Sequence, residues 1–364
     1  MSSLPDLGVP AWLQGEGPEA EIVLSSRIRL ARNVRAFPFS QRSGSEEKTR
    51  ACEASRAAIE AVPALEGAAI VRVDRASSLD RQFLVERHLI SPDLANGTGA
   101  RAVAIGRGET ASVMINEEDH LRIQAVVSGL DILRAWRTAD RVDDELGSRL
   151  EFAFSDEWGY LTACPTNTGT GLRASVLIHL PALVLTKQIS KVLRGISQVG
   201  LAVRGMFGEG SEVMGNFFQI SNQTTLGLAE LDTLESLERV TRQIIDHEKS
   251  ASAELIRSAR VQVEDKVFRS YGLLTHCRVV STQEVMSLVS AVRFGRAAGL
   301  LEGVGLPVLN RIMIETLPAH LQKRAGEKLD QVERDFRRAA LVRRLLGDAR
   351  EGGLAQEGPG ADLL

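Results

Sequence analysis

Hydrophobic residues follow two different periodicities along this chain, and the change falls near residue 230. Before that point, short apolar runs rich in β-branched residues occupy 69–73, 101–105 and 111–115, separated by glycine and polar breaks. Runs of this kind are typical of strands in a sheet. The first half of the chain is therefore predicted to be α/β or α+β.

Beyond residue 230 the apolar residues recur at helical spacing, as in 234–245. Ser281 and Glu284 form a predicted capping box at the start of a further helix. A last helix is expected from about Leu329, with Gly347 as its end. The second half of the chain is therefore predicted to be helical.

Composition limits the class of protein. The 364 residues, 44% hydrophobic and 25% charged, suit a globular chain of two domains, or of one large domain with an appendage. A net charge of −3 provides no general basic surface, so nucleic acid is not an expected partner. The chain has three cysteines, Cys52, Cys164 and Cys277. Their odd count argues against a disulfide framework, and their positions fit no metal-ligand spacing. No leader or membrane-spanning stretch is visible, and a cytoplasmic protein without a membrane partner is predicted.

Four segments carry residues suited to binding or catalysis. The first, Ser25-Ser-Arg-Ile-Arg-Leu, contains a pair of arginines. In an extended strand, residues two apart share a face, so Arg27 and Arg29 point the same way. Two neighbouring guanidinium groups suit a polyphosphate. A solvated strand face explains this segment equally well when it is taken alone.

The second segment, residues 115–122, places three acids, a histidine and Arg122 directly after an apolar run. Sites are commonly built where strands end. Alternatively, the acids occupy the first turn of a helix starting near Glu117, where the helix dipole favours negative charge. That alternative leaves Arg122 unexplained.

The third and fourth segments are glycine-rich loops. Residues 161–173 combine hydroxyl groups and glycines in a loop that can present backbone N–H groups to an anion. Cys164 in this loop is either an ordinary buried thiol or a thiolate favoured by nearby arginines and the Thr166 hydroxyl. Residues 204–210 place three glycines around an arginine and a carboxylate, which suits either a ligand-covering loop or a plain hairpin.

Taken in order, SSRIR, NEEDHLR, CPTNTGTGLR and RGMFGE resemble the phosphagen (guanidino) kinase family over roughly residues 21 to 230. Four long motifs occurring together make the resemblance specific. It implies an α+β fold, in which an antiparallel sheet flanked by helices binds ATP with Mg²⁺. The chain has neither a Walker A sequence nor the catalytic-loop signature of protein kinases.

Nucleotide-binding residues follow from this resemblance. Five arginines correspond to those that hold the ATP phosphates: Arg27, Arg29, Arg122, Arg173 and Arg204. Other positions assigned to the nucleotide are Ser25, Ser26, Ile28, His88, Ala174, Ser175, Val176, Leu177, Gly205, Met206, Phe207, Gly208 and Glu209. His88 corresponds to an adenine-packing histidine, whereas Leu177 stands where a second histidine is expected. Mg²⁺ is assigned no protein ligand, because phosphates and water hold it.

The acceptor side needs a base, because a guanidinium group must lose a proton before its nitrogen can attack phosphorus. The resemblance assigns Glu118 and Glu209 to grip the guanidinium, with Glu118 as the preferred base. Cys164 corresponds to the family cysteine that contacts the guanidinium as a thiolate and forms no covalent intermediate.

Ordinary phosphagen kinases carry a helical domain before the first motif, which here begins at Ser25. Residues 17–33 and 83–92 instead resemble the bacterial protein arginine kinases, and this resemblance spans nearly the whole chain. An open site that admits arginine within a polypeptide is implied. The expected division is an N-terminal segment (1–20), a catalytic domain (21–250), a smaller all-helical C-terminal domain (251–347) and a flexible tail (348–364).

Arg334-Asp-Phe-Arg-Arg-Ala in the last helix resembles a phosphoarginine-binding motif of these kinases, placed away from the active site. Arg334 and Arg338 are helical neighbours that could grip a phosphate, and Asp335 could take a guanidinium, which implies an allosteric sensor. The alternative is a salt-bridged helix face that pairs Asp330 with Arg334 and Asp335 with Arg338.

The resemblance also implies partners: protein substrates with exposed arginine, including a stress repressor, a zinc-binding activator, a Clp protease with its unfoldase, and a second copy in a homodimer. Two other functions stay open. One is a free-arginine kinase, which needs its small substrate covered. The other is a non-catalytic phosphoarginine reader, which would have lost one of the site glutamates or arginines.

Overall fold

A computed structural model of the protein describes residues 4–5, 7–206 and 214–354. Its centre is an eight-stranded antiparallel sheet with the strand order β2-β3-β4-β5-β1-β8-β10-β9. The strands are β1 (Val23–Arg32), β2 (Ala69–Arg72), β3 (Ala102–Ile105), β4 (Ala111–Ile115), β5 (Leu121–Ser128), β8 (Leu172–His179), β9 (Leu201–Arg204) and β10 (Phe217–Asn222). A separate hairpin consists of β6 (Phe154–Ser155) and β7 (Gly159–Tyr160). The three predicted strands of the first half are thereby confirmed.

Helices flank the sheet and make up the second half. They are α1 (Ser45–Glu60), α2 (Ser78–Glu86), α3 (Pro92–Asn96), α4 (Ile132–Gly147), α5 (Pro181–Leu185), α6 (Ile189–Gln198), α7 (Glu230–His276), α8 (Thr282–Ala297), α9 (Leu306–Glu315), α10 (Pro318–Ala325) and α11 (Gln331–Leu354). Both the α+β fold with its flanked antiparallel sheet and the helical C-terminal region are confirmed. Within the described ranges, no helix is both long and apolar enough to cross a membrane.

The strand β1 shows how the sheet separates its core from its opposite face. Leu24, Ile28 and Leu30 are almost fully buried in the hydrophobic core, and α4 packs against β1 and β5. Because side chains alternate along a strand, Arg27 and Arg29 point to the other face. Burial of the apolar face on α4 therefore determines which side of the sheet carries the arginines.

Helix ends agree only partly with the sequence. The Ser281 side chain accepts a hydrogen bond from the backbone N–H of Glu284, so α8 begins with the predicted cap. The helix α11 runs through Gly347 to Leu354, and the predicted end at Gly347 is wrong. Leu345 and Leu346, directly before Gly347, are buried. Their packing offsets the low helix propensity of glycine, and the helix continues through Gly347.

Candidate active site

Strand register brings the predicted arginines onto one face of three adjacent strands. Arg29 of β1 pairs with Arg173 of β8 on one side and with Gln124 of β5 on the other. Arg122 lies two residues from Gln124, on the same face of β5. Arginines from three separate strands are therefore neighbours in space, although 144 positions separate Arg29 from Arg173 in the chain.

The remaining arginine comes from the edge of the sheet. Arg204 of β9 pairs with Gln219 of β10, and Gln219 pairs with Leu177 of β8. Gln219 also accepts a hydrogen bond from Nη2 of Arg27 at 2.8 Å. This glutamine thus lies between the edge strand and the central arginine pair.

All five predicted arginines line one cleft of about 550 Å³. Glu118, Cys164 and His88 line the same cleft. The volume lies within the range of cofactor-sized sites. The structure therefore assembles the predicted arginines, one predicted acid, the cysteine and the histidine in a single place.

Positive charges crowd the cleft. Burial, followed by the nearby charges of Arg122 and Arg173, lowers the pKa of Arg27 to about 10. Burial and the same neighbours hold the pKa of Arg29 well below its ordinary value. Among the described residues, the buried Nε atoms of Arg27 and Arg29 have no hydrogen-bond partner. An anion with several oxygens supplies both the missing acceptors and the missing negative charge.

Glu117 fixes the position of Arg122. Its carboxylate accepts from Nη1 of Arg122 at 2.6 Å, its second oxygen lies 2.6 Å from Nη2, and the Ser91 hydroxyl donates to it as well. Residues 116–120 form a tight turn between β4 and β5, with Asn116 at a positive φ of 58°. The alternative of a helix starting near Glu117 is therefore wrong. The acids reach the cleft because the turn places them at a strand end.

Glu118 also lines the cleft. Its side chain is 33% exposed, and one oxygen lies 3.5 Å from Nη2 of Arg122. Burial and the nearby charge of Asp119 raise its pKa above the ordinary value. The nearby Cys164 thiol opposes part of this rise in the pKa, and its sulfur lies 3.0 Å from the Thr166 hydroxyl. Glu118 and Cys164 thus face the same part of the cleft.

Asp119 joins the acidic turn to the cysteine loop. Its carboxylate accepts from Nδ2 of Asn33 at 2.6 Å and from the backbone N–H of Ala163 at 2.7 Å. His120 accepts from the N–H of Val34, so its other ring nitrogen is the one that donates to the Pro38 carbonyl. Burial lowers the pKa of His120, in keeping with a neutral ring. The Asp119 and His120 side chains thus connect the acidic turn to the cysteine loop and to residues 33–38.

Two glycines let the cysteine loop lie close to its neighbours. A Cβ at Gly169, where φ is +111°, would come within 2.3 Å of the Thr225 carbonyl oxygen. A Cβ at Gly171, where φ is +65°, would come within 2.6 Å of the Ala31 carbonyl oxygen. Any larger residue here forces the loop away from β1, and Cys164 with it.

An apolar slot extends the cleft at the end remote from Glu118. Trp12, Val126, Leu177 and Met206 contribute its apolar walls. Arg27 and His88 line both the slot and the cleft, so the two are continuous. The sequence reasoning missed Trp12, whose only signal is a buried aromatic residue in the N-terminal segment.

His88 and Trp12 meet edge-to-face with ring centroids 5.8 Å apart. Burial, with a smaller effect of Arg27, lowers the pKa of His88 to about 3, so the ring is neutral. Its φ of 60° is a left-handed conformation, and Nε2 of Gln124 donates to its carbonyl oxygen at 2.8 Å. A neutral ring beside an apolar wall suits the packing of a flat base.

Trp12 owes its position to the C-terminal helices. The backbone carbonyl of Leu13 accepts from Nδ2 of Asn310 at 2.9 Å, and Asn310 accepts from Nη1 of Arg293 at 2.6 Å. Arg293 is fully buried and also donates to the carbonyl oxygens of Ala20 and Glu21. Helices α8 and α9 therefore hold one wall of the slot.

The other predicted nucleotide residues that the structure describes divide between the apolar slot and the opposite face of the sheet. Ser26, Ile28, Ala174 and Val176 point to the opposite face of the sheet, where Ser26 donates to the Gly129 carbonyl. Ser25, Ser175, Leu177 and Met206 line the slot, and Gly205 lies buried beside it. Phe207, Gly208 and Glu209 lie outside the described residues. His179 stacks on Phe217 with its ring 2.8 Å from the Ser290 hydroxyl, away from the cleft.

The motif at 334–338 lies on α11, away from the cleft. Arg338 is 1% exposed, and it donates to the carbonyl oxygens of Thr316 and Val280 and to the Asp335 carboxylate. Arg334 donates to the Leu329 carbonyl at 2.8 Å. Of the two alternative ion pairs, the structure contains the one between Asp335 and Arg338.

Metal-ligating side chains are not clustered in the part of the chain that the structure describes. No group of three or more His, Cys, Asp or Glu residues there is arranged to hold a metal ion. The orphaned Nε atoms of Arg27 and Arg29 instead fit the phosphate oxygens of a nucleotide.

Comparisons with known proteins agree with this geometry. Residues 52–251 match the ATP:guanido phosphotransferase C-terminal catalytic domain, and residues 260–356 match the protein-arginine kinase McsB C-terminal domain. A taurocyamine kinase from Schistosoma mansoni, solved with transition-state analogue components, superposes with a TM-score of 0.59 at 26% identity, over 69% of this chain and 36% of that one. The fold and the arginine-lined cleft thus define an ATP:guanido phosphotransferase.

Curated relatives narrow the class. The protein-arginine kinase of Symbiobacterium thermophilum is 50% identical over 91% of this chain and 95% of its own length. That of Bacillus subtilis is 44% identical over 92% of this chain and 93% of its own. The chain belongs to the protein-arginine kinase family. It is an ATP-dependent arginine kinase.

Proposed function

We propose that the protein transfers the γ-phosphoryl group of ATP to arginine side chains within proteins. The observation that carries this proposal is the single cleft in which five arginines face Glu118 and Cys164. Relatives that share 44–50% identity and carry the name protein-arginine kinase support a polypeptide acceptor. Free arginine as the main acceptor is the competing function.

The arginines bind the phosphates and stabilise the charge that develops on the transferred group. Phosphoryl transfer depends on positioning and electrostatic stabilisation, which preorganised cations in a desolvated cleft supply. Mg²⁺ bound with the nucleotide would be held mainly by phosphate oxygens and water, and it would neutralise part of the same charge. The adenine base of ATP packs in the slot between His88 and Leu177, and Trp12 forms the far wall of the slot.

Glu118 is the proposed base for the acceptor. A guanidinium nitrogen attacks the γ-phosphorus, so an N–P bond forms while the bond from phosphorus to the bridging oxygen breaks, and ADP leaves with that electron pair. The proton from nitrogen goes to Glu118, whose raised pKa makes it a better acceptor than an ordinary carboxylate. Cys164 orients the guanidinium. Glu209 serves as the second gripping acid in this proposal.

Residues outside the cleft have proposed roles as well. A phosphoarginine sensor that regulates the enzyme is formed by Arg334, Asp335 and Arg338. Within it, the buried Arg338 is held in place by its hydrogen bonds. The catalytic domain covers 21–250, after an N-terminal segment (1–20). The helical domain follows from 251 and extends through α11 to Leu354, beyond the end expected at 347. Two copies form a dimer in the cytoplasm. There a zinc-binding activator assists the marking of proteins, including a stress repressor, for a Clp protease.

A transfer assay tests the function. The protein is incubated with MgATP and either an arginine-containing protein or free arginine, and acid-labile phosphate on the product is measured. We expect phosphate on protein arginines and little turnover of free arginine. Efficient phosphorylation of free arginine with an unmodified protein substrate contradicts the proposal and favours a phosphagen-type enzyme.

A further inference from the structure

Four exposed apolar side chains form a patch beside the acceptor end of the cleft. The Trp158 patch consists of Phe154, Trp158, Leu226 and Leu228, each between 43% and 49% exposed. All four line one shallow depression of about 450 Å³. Large apolar side chains gathered on a surface mark a binding site more often than scattered ones do.

The fold holds this patch firmly. Trp158 lies between the two strands of the β6–β7 hairpin, and the ring of Phe154 packs edge-on against Tyr160 with centroids 5.2 Å apart. Tyr160 exchanges backbone hydrogen bonds with Gly169 at 2.8 and 3.2 Å, and the guanidinium of Arg32 lies 3.5 Å from the centre of its ring. The hairpin is thus attached to the loop that carries Cys164.

A short path of contacts connects the patch to the acceptor site. The Thr225 hydroxyl donates to the Thr166 carbonyl at 3.0 Å, and the Thr166 hydroxyl lies 3.0 Å from the Cys164 sulfur. Leu226 directly follows Thr225. Because an extended chain spans about 3.3 Å per residue, a polypeptide with its arginine at Cys164 reaches the patch within a few residues.

Acidic side chains lie beside the patch, as does the exposed ion pair of Arg35 with Glu151. Asp156 and Glu157 are exposed beside Trp158, and neither forms an ion pair with any described residue. The Glu230 carboxylate also lines the depression, where Nε1 of Trp136 donates to it at 2.7 Å. An apolar surface with an acidic rim is complementary to a basic segment that carries an apolar residue.

We propose that the Trp158 patch docks the segment that flanks the acceptor arginine in a protein substrate. An apolar side chain of that segment packs on Trp158 and Leu228, and its basic residues lie against Asp156 and Glu157. This inference rests on the proposed function, because it requires an acceptor arginine within a polypeptide. Docking supplies affinity outside the cleft, so a small arginine compound gains nothing from it.

Kinetics with matched acceptors test the docking. Wild type, Trp158→Ala and Leu228→Ala are compared on two acceptors: a synthetic peptide with one arginine between leucine and lysine residues, and Nα-acetyl-arginine amide. Val261→Ala, at a 74% exposed position on α7, is the control for loss of an exposed apolar side chain. We expect both patch variants to raise KM for the peptide about tenfold, with kcat and KM for ATP unchanged. The small acceptor should show no difference.

Further arms separate the possible failures. A peptide with serines in place of the leucines should lose the difference between wild type and Trp158→Ala. An unchanged peptide KM in both variants overturns the docking while the kinase function stands. A wild type that phosphorylates only the small acceptor overturns the proposed function and the docking together. A change of sedimentation coefficient in Trp158→Ala overturns the inference in favour of contact between two copies of the chain.

Discussion

Arg29 on β1 lies directly opposite Arg173 on β8 in the antiparallel register. Two cationic side chains on paired strands repel each other, and directly opposed like charges destabilise a sheet. Burial, followed by the charges of Arg27, Arg122 and Arg173, holds the pKa of Arg29 well below its ordinary value. The free protein therefore keeps a destabilising arrangement that bound phosphate relieves, as expected of a site preorganised for an anion.

Replacing Arg29 by Ala should lower activity and raise stability. We expect kcat/KM to fall about 10²- to 10³-fold, because a cation at the transferred group is lost. The nucleotide-free melting temperature should rise, because repulsion from Arg27, Arg122 and Arg173 is relieved. Initial rates measure the loss of activity, and thermal melts with and without MgATP measure the change in stability.

Arg32 is the matched control on the same strand. Its guanidinium forms a buried ion pair with Asp143, with Nη2 at 2.7 Å from Oδ2. Arg32→Ala leaves that carboxylate unpaired and should cost about 3–5 kcal/mol of stability. Equal destabilisation by both substitutions would argue against an anion site at Arg29.

Replacing Glu118 by Gln should slow transfer strongly and leave nucleotide binding intact. The amide cannot accept the proton, so kcat should fall about 10²- to 10⁴-fold with the Kd for ATP unchanged. Isothermal titration and single-turnover assays give the two quantities. Glu117→Gln is the comparison, because Glu117 holds Arg122 and its loss should weaken ATP binding. Normal turnover by Glu118→Gln excludes this base.

The pH profile offers a second test of Glu118. Burial raises its pKa, and the base acts only when it is ionised. Activity should therefore be complete above the raised pKa and fall as the pH drops through it, at higher pH than an ordinary carboxylate would give. Initial rates with saturating substrates measure this limb, which the residual activity of Glu118→Gln should lack.

Replacing Trp12 by Ala should weaken ATP binding through the base. We expect the KM for ATP to rise about tenfold with little change in kcat, because the phosphates are held elsewhere. Trp12 is only 3% exposed, so Trp12→Phe serves as the variant that keeps a packed aromatic ring. Trp136→Phe, outside the slot, is the control for loss of an indole. Equal KM values in all four proteins would remove Trp12 from the base site.

Glu248 should make stability depend on pH. This buried carboxylate on α7 accepts from the N–H groups of Ala182 and Leu183, yet burial raises its pKa from 4.5 to about 7. Between these values the folded protein keeps a proton that the unfolded chain releases. The free energy of unfolding therefore falls as pH rises through this window, by about 3 kcal/mol at most.

Urea unfolding at pH 5 and pH 7.5 measures this dependence. Glu248→Gln cannot ionise, so the pH-dependent loss should be smaller in the variant than in the wild type by the contribution of Glu248. A wild type and a variant with parallel pH profiles would show that the carboxylate is ionised in the folded protein at both pH values.

The predicted site came mainly from motifs, and its geometry depends on features the motifs do not contain. Alternation along β1 correctly grouped Arg27 with Arg29. It did not indicate that Arg32, three residues further on, forms an ion pair behind the sheet. The same alternation turns Ser26, Ile28, Ala174 and Val176 away from the cleft, although the motifs include them. Trp12 belongs to no motif and is recognisable only in the folded chain.

The sequence by itself determined three strands of the sheet (β2, β3 and β4), the helical second half and the residue types of the active site, because hydrophobic periodicity and side-chain chemistry are local properties. Only the tertiary structure decided that Arg29 lies opposite Arg173, and that Asn310 holds the Trp12 wall through Leu13. Register and packing depend on contacts between residues far apart in the chain. No local pattern encodes which strand will be the neighbour of another.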